Sequence, residues 1–339
     1  MRWRMERILL LVLGIVLAWG TAVSAAVKIE SVTYKGWKEA YRLSNGTVEV
    51  IVVPSVARVM RYAFIGGPNA LWENEAAAGK PIPLGQWPNT GGDKIWPWPQ
   101  AEWPQRVGTG WPPPSATDQA PYSAEIVGTD SLRLTSSLVI GYGVRVIRDI
   151  KLAPTGTHVH IVSRFVKVSG GTPFPTGVWS ITQVPPPDIA LLRLVPDTTL
   201  ASGYKPLSDD PFASVTKEGG FLHAVRPPDK SAKIGVDADV IAVLKGDLLF
   251  TLHSMTASEA PFVAGDRAQI YSNPDNSGQV YVELEFTSPL KSLAAGATQS
   301  LYVVWELQRL PENKRTLPEL QKLLAKPSAS GRQRLRLRY

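Results

Sequence analysis

Apolar residues along this chain recur at every second position in short runs, and glycine, proline or asparagine interrupts the runs. A period of two marks strands with one buried face. Residues 41–43 and 47–53 flank Asn45-Gly46, a pair that supplies the positive φ values of a tight hairpin turn. Residues 59–65 form a third strand, turned at 66–69, so a meander opens the fold. Further strands are expected at 122–127, 131–137, 144–152 and 158–167. Their links, 128–130 and 153–157, are too short for parallel crossovers. The run 176–184 stops at Pro185-Pro186-Pro187, and 189–194, 219–225, 233–235, 240–245, 248–253, 268–272, 279–286 and 299–307 complete the set. Residues 317–325 alone read as a helix, with Thr316 and Glu319 as a capping box, Pro318 in the first turn, and Leu317, Leu320 and Leu324 on one face. Roughly fifteen locally linked strands predict an all-β fold, one large antiparallel sandwich over 27–310, followed by a helix and tail over 311–339. The absence of an internal repeat argues against a propeller.

Residues 86–114 break this pattern. They hold Trp87, Trp96, Trp98, Trp103 and Trp111 among seven prolines. Proline removes backbone donors and fixes φ, so a long stiff loop is expected there and a central strand is not. Tryptophan richness argues against disorder, and loops of that length usually carry function. A rigid aromatic with one N–H suits the apolar face of a sugar or another protein's surface. Sealing the open end of a β-structure is the competing role, and it is the one expected of Trp103 and Trp111.

Composition narrows the setting. Arg2, Arg4 and Arg7 precede an apolar run over 8–18 and small residues at Ser24-Ala25-Ala26, the pattern of a secretory signal over 1–26. Export to the periplasm or the exterior is therefore expected, with no stable membrane span once the signal is removed; a retained anchor is the alternative. The chain has no cysteine, so its core must hold without disulfides. The net charge is +7, and Arg332, Arg334, Arg336 and Arg338 crowd the C-terminus. No basic face remains for nucleic acid. Phosphate-cradling loops, Gly-x-Ser-x-Gly elbows and His-Glu-x-x-His helices are all missing.

Several patches resemble a known superfamily. Val53-Pro54-Ser55-Val56-Ala57-Arg58-Val59, with 62–67 and Leu71-Trp72-Glu73, is similar to the early hairpin of galactose mutarotase-like proteins. Gly91-Gly92-Asp93-Lys94-Ile95-Trp96-Pro97 and Trp179-Ser180-Ile181-Thr182-Gln183 resemble motifs of its bacterial branch catalogued as domain of unknown function 4380. Tyr281-Val282-Glu283-Leu284-Glu285-Phe286-Thr287-Ser288-Pro289-Leu290 is similar to the late strand where aldose epimerases keep a catalytic glutamate. The resemblance spans about 37–307. It implies a β-supersandwich whose open face binds a sugar. Two departures stand out. No histidine occurs in 178–182, where epimerases place their general acid, and Ala57 stands where glycine is expected.

The candidate chemistry follows from both readings. Glu283 and Glu285 share one strand face and would serve as base or hydroxyl clamp, with Glu285 the catalytic candidate. Arg58, Asp93, Trp96, Trp98, Trp179, Gln183 and Glu283 are the candidate ligand-binding residues, with Gly92, Asp93, Trp96 and Trp98 facing Arg58 and the glutamates. Asp93 and Lys94 pairing with each other is the structural alternative. His158 and His160 share a face without a nearby third ligand, so no metal site is assigned. His223 and His253 are isolated, and His253 is the better outside candidate for the acid. No cofactor is predicted, and calcium in the site stays open. Three functions compete: carbohydrate recognition of a mono- or oligosaccharide, aldose 1-epimerase-like acid–base chemistry, and an envelope structural or protein-binding role.

Overall fold

A computed structural model describes residues 26–82, 86–168, 174–255, 262 and 265–325. Residues 1–25 of the expected signal and the basic end from 326 onward lie outside them. Two sheets stack face to face. The larger runs Lys28–Tyr34, Trp37–Ser44, Val48–Val53, Arg58–Phe64, Asp93–Trp98, Pro175–Val184, Val282–Thr287, Ala268–Ser272, Ala232–Val236 and Tyr204–Pro206, with Lys291–Ser292 added beside Pro175–Val184. The smaller runs Ser214–Glu218, Phe221–Val225, Ile189–Leu194, Ala238–Lys245, Leu248–Ser254, Thr298–Arg309, Val159–Lys167, Val144–Leu152, Ser131–Thr135 and Ser123–Val127. Every pairing among the described residues is antiparallel. The all-β sandwich is as expected, and Val144–Leu152, Ile189–Leu194 and Ala268–Ser272 keep their anticipated bounds.

The strands are not all linked to their neighbours in sequence. At the centre of the larger sheet, Asp93–Trp98 and Val282–Thr287 flank Pro175–Val184, so the middle of that sheet is assembled from three distant parts of the chain. This corrects the reading of 86–114 as a loop without a central strand. Asp93–Trp98 pairs along its length with Pro175–Val184 but touches Arg58–Phe64 only through Val59 and Asp93. Beyond Asp93 only one edge needs ladder donors, which accommodates Pro97. A short helix, Trp103–Val107, follows and buries Trp103, whose indole N–H donates to the Pro97 carbonyl at 2.9 Å.

Local chemistry departs from expectation at three further points. In the Asn45-Gly46 turn only Gly46 takes positive φ, at 84°, while the Asn45 side chain accepts from the backbone N–H of Thr47 and Val48. Ala57 holds φ 56°, the left-handed region that glycine favours, just before Arg58 enters its strand. The C-terminal helix spans Leu317–Leu324, but Thr316 makes no side-chain cap and Glu319 pairs instead with Lys314 and Lys322. Its Leu320 and Leu324 pack on Leu191, Val240 and Leu249, on the outer face of the smaller sheet.

Between the sheets the core is aliphatic and aromatic, with one polar staple. Asp93 points inward, where it pairs with Arg148 of the smaller sheet and accepts from Thr182 Oγ1 at 2.9 Å. Both partners are about 1% exposed. Asp93 is therefore corrected from ligand contact to core ion pair. Neighbouring strand residues alternate faces, so Lys94 points the other way and the two do not pair.

Candidate functional site

The residues beside Asp93 in register define the opposite, outer face of the larger sheet. Lys94, Trp96, Trp179, Gln183, Glu283 and Glu285 all point there, since Lys94 and Glu285 flank Ile181, Trp96 flanks Trp179, and Glu283 flanks Gln183. Above them lies a cleft of about 450 Å³, walled by Trp87, Trp96, Trp111 and Trp179 on one side and by Tyr271, Asn273, Gln279 and Tyr281 on the other. Lys233 and Glu283 complete the lining with Gln100 and Ser277.

The tryptophan wall is built on Trp96, which meets Trp87, Trp103, Trp111 and Trp179 edge to face at centroid separations of 5.3–6.2 Å. Trp98 leans on Trp179 at 5.5 Å, just outside the cleft. Gly92 lets the chain approach the neighbouring strand, since a Cβ there would sit 2.4 Å from the Val59 carbonyl oxygen at a φ of 72°.

Beneath the wall sits Asp118, wholly buried, on a short helical turn over Ser115–Asp118. Its Oδ1 accepts from Arg58 at 2.8 Å and from the Trp96 indole, and its Oδ2 accepts from the Trp87 indole at 2.6 Å. Burial works against the charge, but Arg58, Lys94 and the Trp96 N–H outweigh it and hold the carboxyl below the usual carboxylate range. Arg58 is 1% exposed; its Nη2 donates to Asp118 and its Nε to Thr90 Oγ1, while Nη1 is buried without a partner. The structure thus corrects Arg58 from ligand contact to support, one layer below the surface.

Two further groups set the floor. Lys94 is fully buried between the rings of Trp87 and Trp96, 5.2 and 4.6 Å from their centroids, and donates to Glu283 Oε1 at 3.2 Å. Burial lowers its pKa, with Glu283 opposing. Gln183, also buried, donates to the same oxygen at 2.9 Å, so it orients Glu283 without opening onto the cleft. Glu285 lies deeper: Oε2 accepts from the Trp179 indole at 2.7 Å and Lys233 Nζ at 2.9 Å, while Oε1 is buried without a partner. Burial pushes this carboxyl up to about 7, against the pull of Lys233 and with Glu283 adding to the rise.

Of the residues expected from sequence, Trp96, Trp179 and Glu283 line the cleft, whereas Arg58, Gln183 and Glu285 lie beneath it. Sequence reasoning missed Lys233, Tyr271 and Asp118, and it set Trp111 aside as packing although the ring is 49% exposed at the rim. Tyr281 could have been found, because it shares the period of two with Glu283 and Glu285. The histidines are elsewhere. His160, His253 and Glu306 lie on the outer face of the smaller sheet, where His160 Nδ1 meets the Tyr302 hydroxyl at 2.6 Å. His253 is therefore no acid for the cleft. Burial lowers His160 and His253 to about 4 each. Among the described residues no three His, Cys, Asp or Glu side chains group as metal ligands, and no helix is long and apolar enough to cross a membrane.

Comparison with solved structures identifies the architecture. A candidate aldose 1-epimerase from Escherichia coli K12 superposes with a TM-score of 0.53 at 14% identity, covering 80% of this chain and 99% of its own. A candidate mutarotase from Salmonella typhimurium gives 0.53 at 11%, covering 84% and 97%. The fold is the galactose mutarotase-like sandwich. A protein from Synechocystis sp. PCC 6803 shares this sandwich at a TM-score of 0.52 and 12% identity, covering 83% and 99%. No family model and no curated protein matches the sequence. At these identities the galactose mutarotase-like likeness fixes the fold, and the chemistry must come from the cleft.

Proposed function

We propose that this protein binds carbohydrate in the tryptophan-walled cleft without needing to turn it over. The observation that carries this reading is the division of the site into an accessible binding surface and a sealed floor. Trp111 and the tyrosines offer faces for sugar rings, while Glu283, Lys233, Asn273 and Gln279 offer acceptors and donors for hydroxyls. Glu285, whose carboxyl is raised to about 7, is 0% exposed, and no histidine is among the lining residues. The mutarotase-like neighbours support a sugar as the ligand class. Calorimetric titration with mono- and oligosaccharides, read together with tryptophan fluorescence, tests the proposal. Heats at the level of buffer and unmoved fluorescence for every sugar would overturn it. Trp111→Ala is expected to weaken binding about tenfold, the equivalent of ~1.4 kcal/mol, while leaving the melting temperature within a few degrees.

A second reading has one observation in its favour. Glu285 titrates near neutrality, 2.9 Å from the partly exposed amine of Lys233, which suits acid–base exchange at an anomeric centre once a ligand opens the floor. Anomer exchange followed by NMR decides it: catalysis predicts a rate above background that Glu285→Gln removes.

Two finer assignments belong with this proposal. The Gly91–Pro97 and Trp179–Gln183 motifs support membership of the branch catalogued as domain of unknown function 4380. The basic and apolar N-terminus supports export to the periplasm or the exterior, and the mass of the mature protein purified from its producing cell tests this.

A further inference from the structure

A second hollow is lined in part by the chain neighbours of cleft residues. It measures about 730 Å³ and is lined by Gln86, Arg106, Pro112–Pro114, Gln119 and Ile140, among others. Gln86 directly precedes Trp87, and Pro112 directly follows Trp111. The two hollows are thus lined by consecutive residues at Gln86–Trp87 and at Trp111–Pro112, and the rings of Trp87 and Trp111 lie 4.7 Å apart edge to face. Half of Trp111 faces solvent there.

The lining of the second hollow is suited to a neutral chain of sugars. Proline rings and Val107 give flat apolar surface, and Gln86, Thr109, Ser115 and Gln119 give uncharged polar groups. Among the described residues Arg106 is the only charged one in the lining; its guanidinium stacks 3.4 Å over Phe174 and its Nε is buried without a partner. A strongly anionic ligand would find one cation there, already 3.7 Å from Glu102. A nucleic acid or polyanionic glycan needs several. Small-molecule sites fall between about 300 and 1,000 Å³. The cleft alone is of that size, and the two hollows together exceed it.

We infer that the ligand is an extended, uncharged oligosaccharide that stacks across Trp111, with one end in the cleft and the other in the groove of Pro112–Pro114. This rests on the sugar reading of the cleft and adds a second subsite to it. Each sugar placed beyond Trp111 contributes contact that a monosaccharide cannot make, so affinity rises with chain length until both hollows are filled.

The test is calorimetric titration of the full chain with neutral gluco-, manno- and N-acetylglucosamine oligomers of one to six units. The affinity for the best series is expected to climb at least tenfold between one and four units. Ile140→Arg changes the groove at a position that is 86% exposed and so leaves the fold intact. That variant is expected to flatten the length dependence while leaving monosaccharide affinity unchanged. Affinity independent of length, or a length dependence that Ile140→Arg does not alter, overturns the second subsite while sparing the cleft. Absence of binding at every length overturns both readings.

Discussion

Asp118→Ala is expected to destabilise the protein by about 3–5 kcal/mol, because it strands a buried guanidinium. Among the described residues Arg58 has no other carboxylate in contact, and its remaining hydrogen bond goes to a neutral threonine. The same substitution removes the acceptor shared by the indoles of Trp87 and Trp96, two walls of the cleft. Loss of stability and loss of ligand binding should therefore come together. Urea denaturation, with the midpoint compared between the native protein and the variant, measures the first effect, and sugar titration measures the second. Asp118→Asn keeps an acceptor but loses the charge, so it should fall between the two. A midpoint for Asp118→Ala equivalent to a loss under about 1 kcal/mol would refute the role assigned to this residue.

The second large effect depends on pH. Glu285 holds its proton more tightly folded than unfolded, with a carboxyl raised from 4.5 to about 7. Its contribution to stability is complete below pH 4.5 and is lost as pH rises through 7. The gap corresponds to about 3 kcal/mol. Glu285→Gln retains an acceptor for Trp179 and cannot ionise. Near pH 4 the variant and the native protein should match. Toward pH 8 the variant should become the more stable, by up to that amount. Melting temperatures of both proteins from pH 4 to 8 provide the check, and a constant difference across the range would contradict the assignment.

The fold was readable because alternation of apolar and polar residues is local, and most strands needed nothing else. Asp93–Trp98 was hidden by its own composition. Pro97 breaks the usual rule for central strands, and only knowledge of the single bridge to Arg58–Phe64 explains why it is tolerated. Alternation also placed Glu283 and Glu285 together on one face, apart from Leu284. It could not say which face meets the second sheet. Asp93, read as part of a loop, was assigned to the ligand, and the partner that explains it, Arg148, lies on a strand of the other sheet. Arg58 and Glu285 reached the right face but the wrong depth, since depth depends on the tryptophans that fold over them. Asp118 carried no signal at all: a lone acid after three prolines gains its meaning only from the three donors brought to it by the fold.

The floor of the cleft joins chain segments that are made far apart in time. Lys94 meets Glu283 across 189 residues, and Trp179 meets Glu285 across 106. Such contacts close slowly and late. A nascent chain released before Val282–Thr287 has been synthesised has the tryptophans but no pocket between them. Any protease that clips this protein ahead of that strand would leave a product that keeps the aromatic wall and is blind to its ligand.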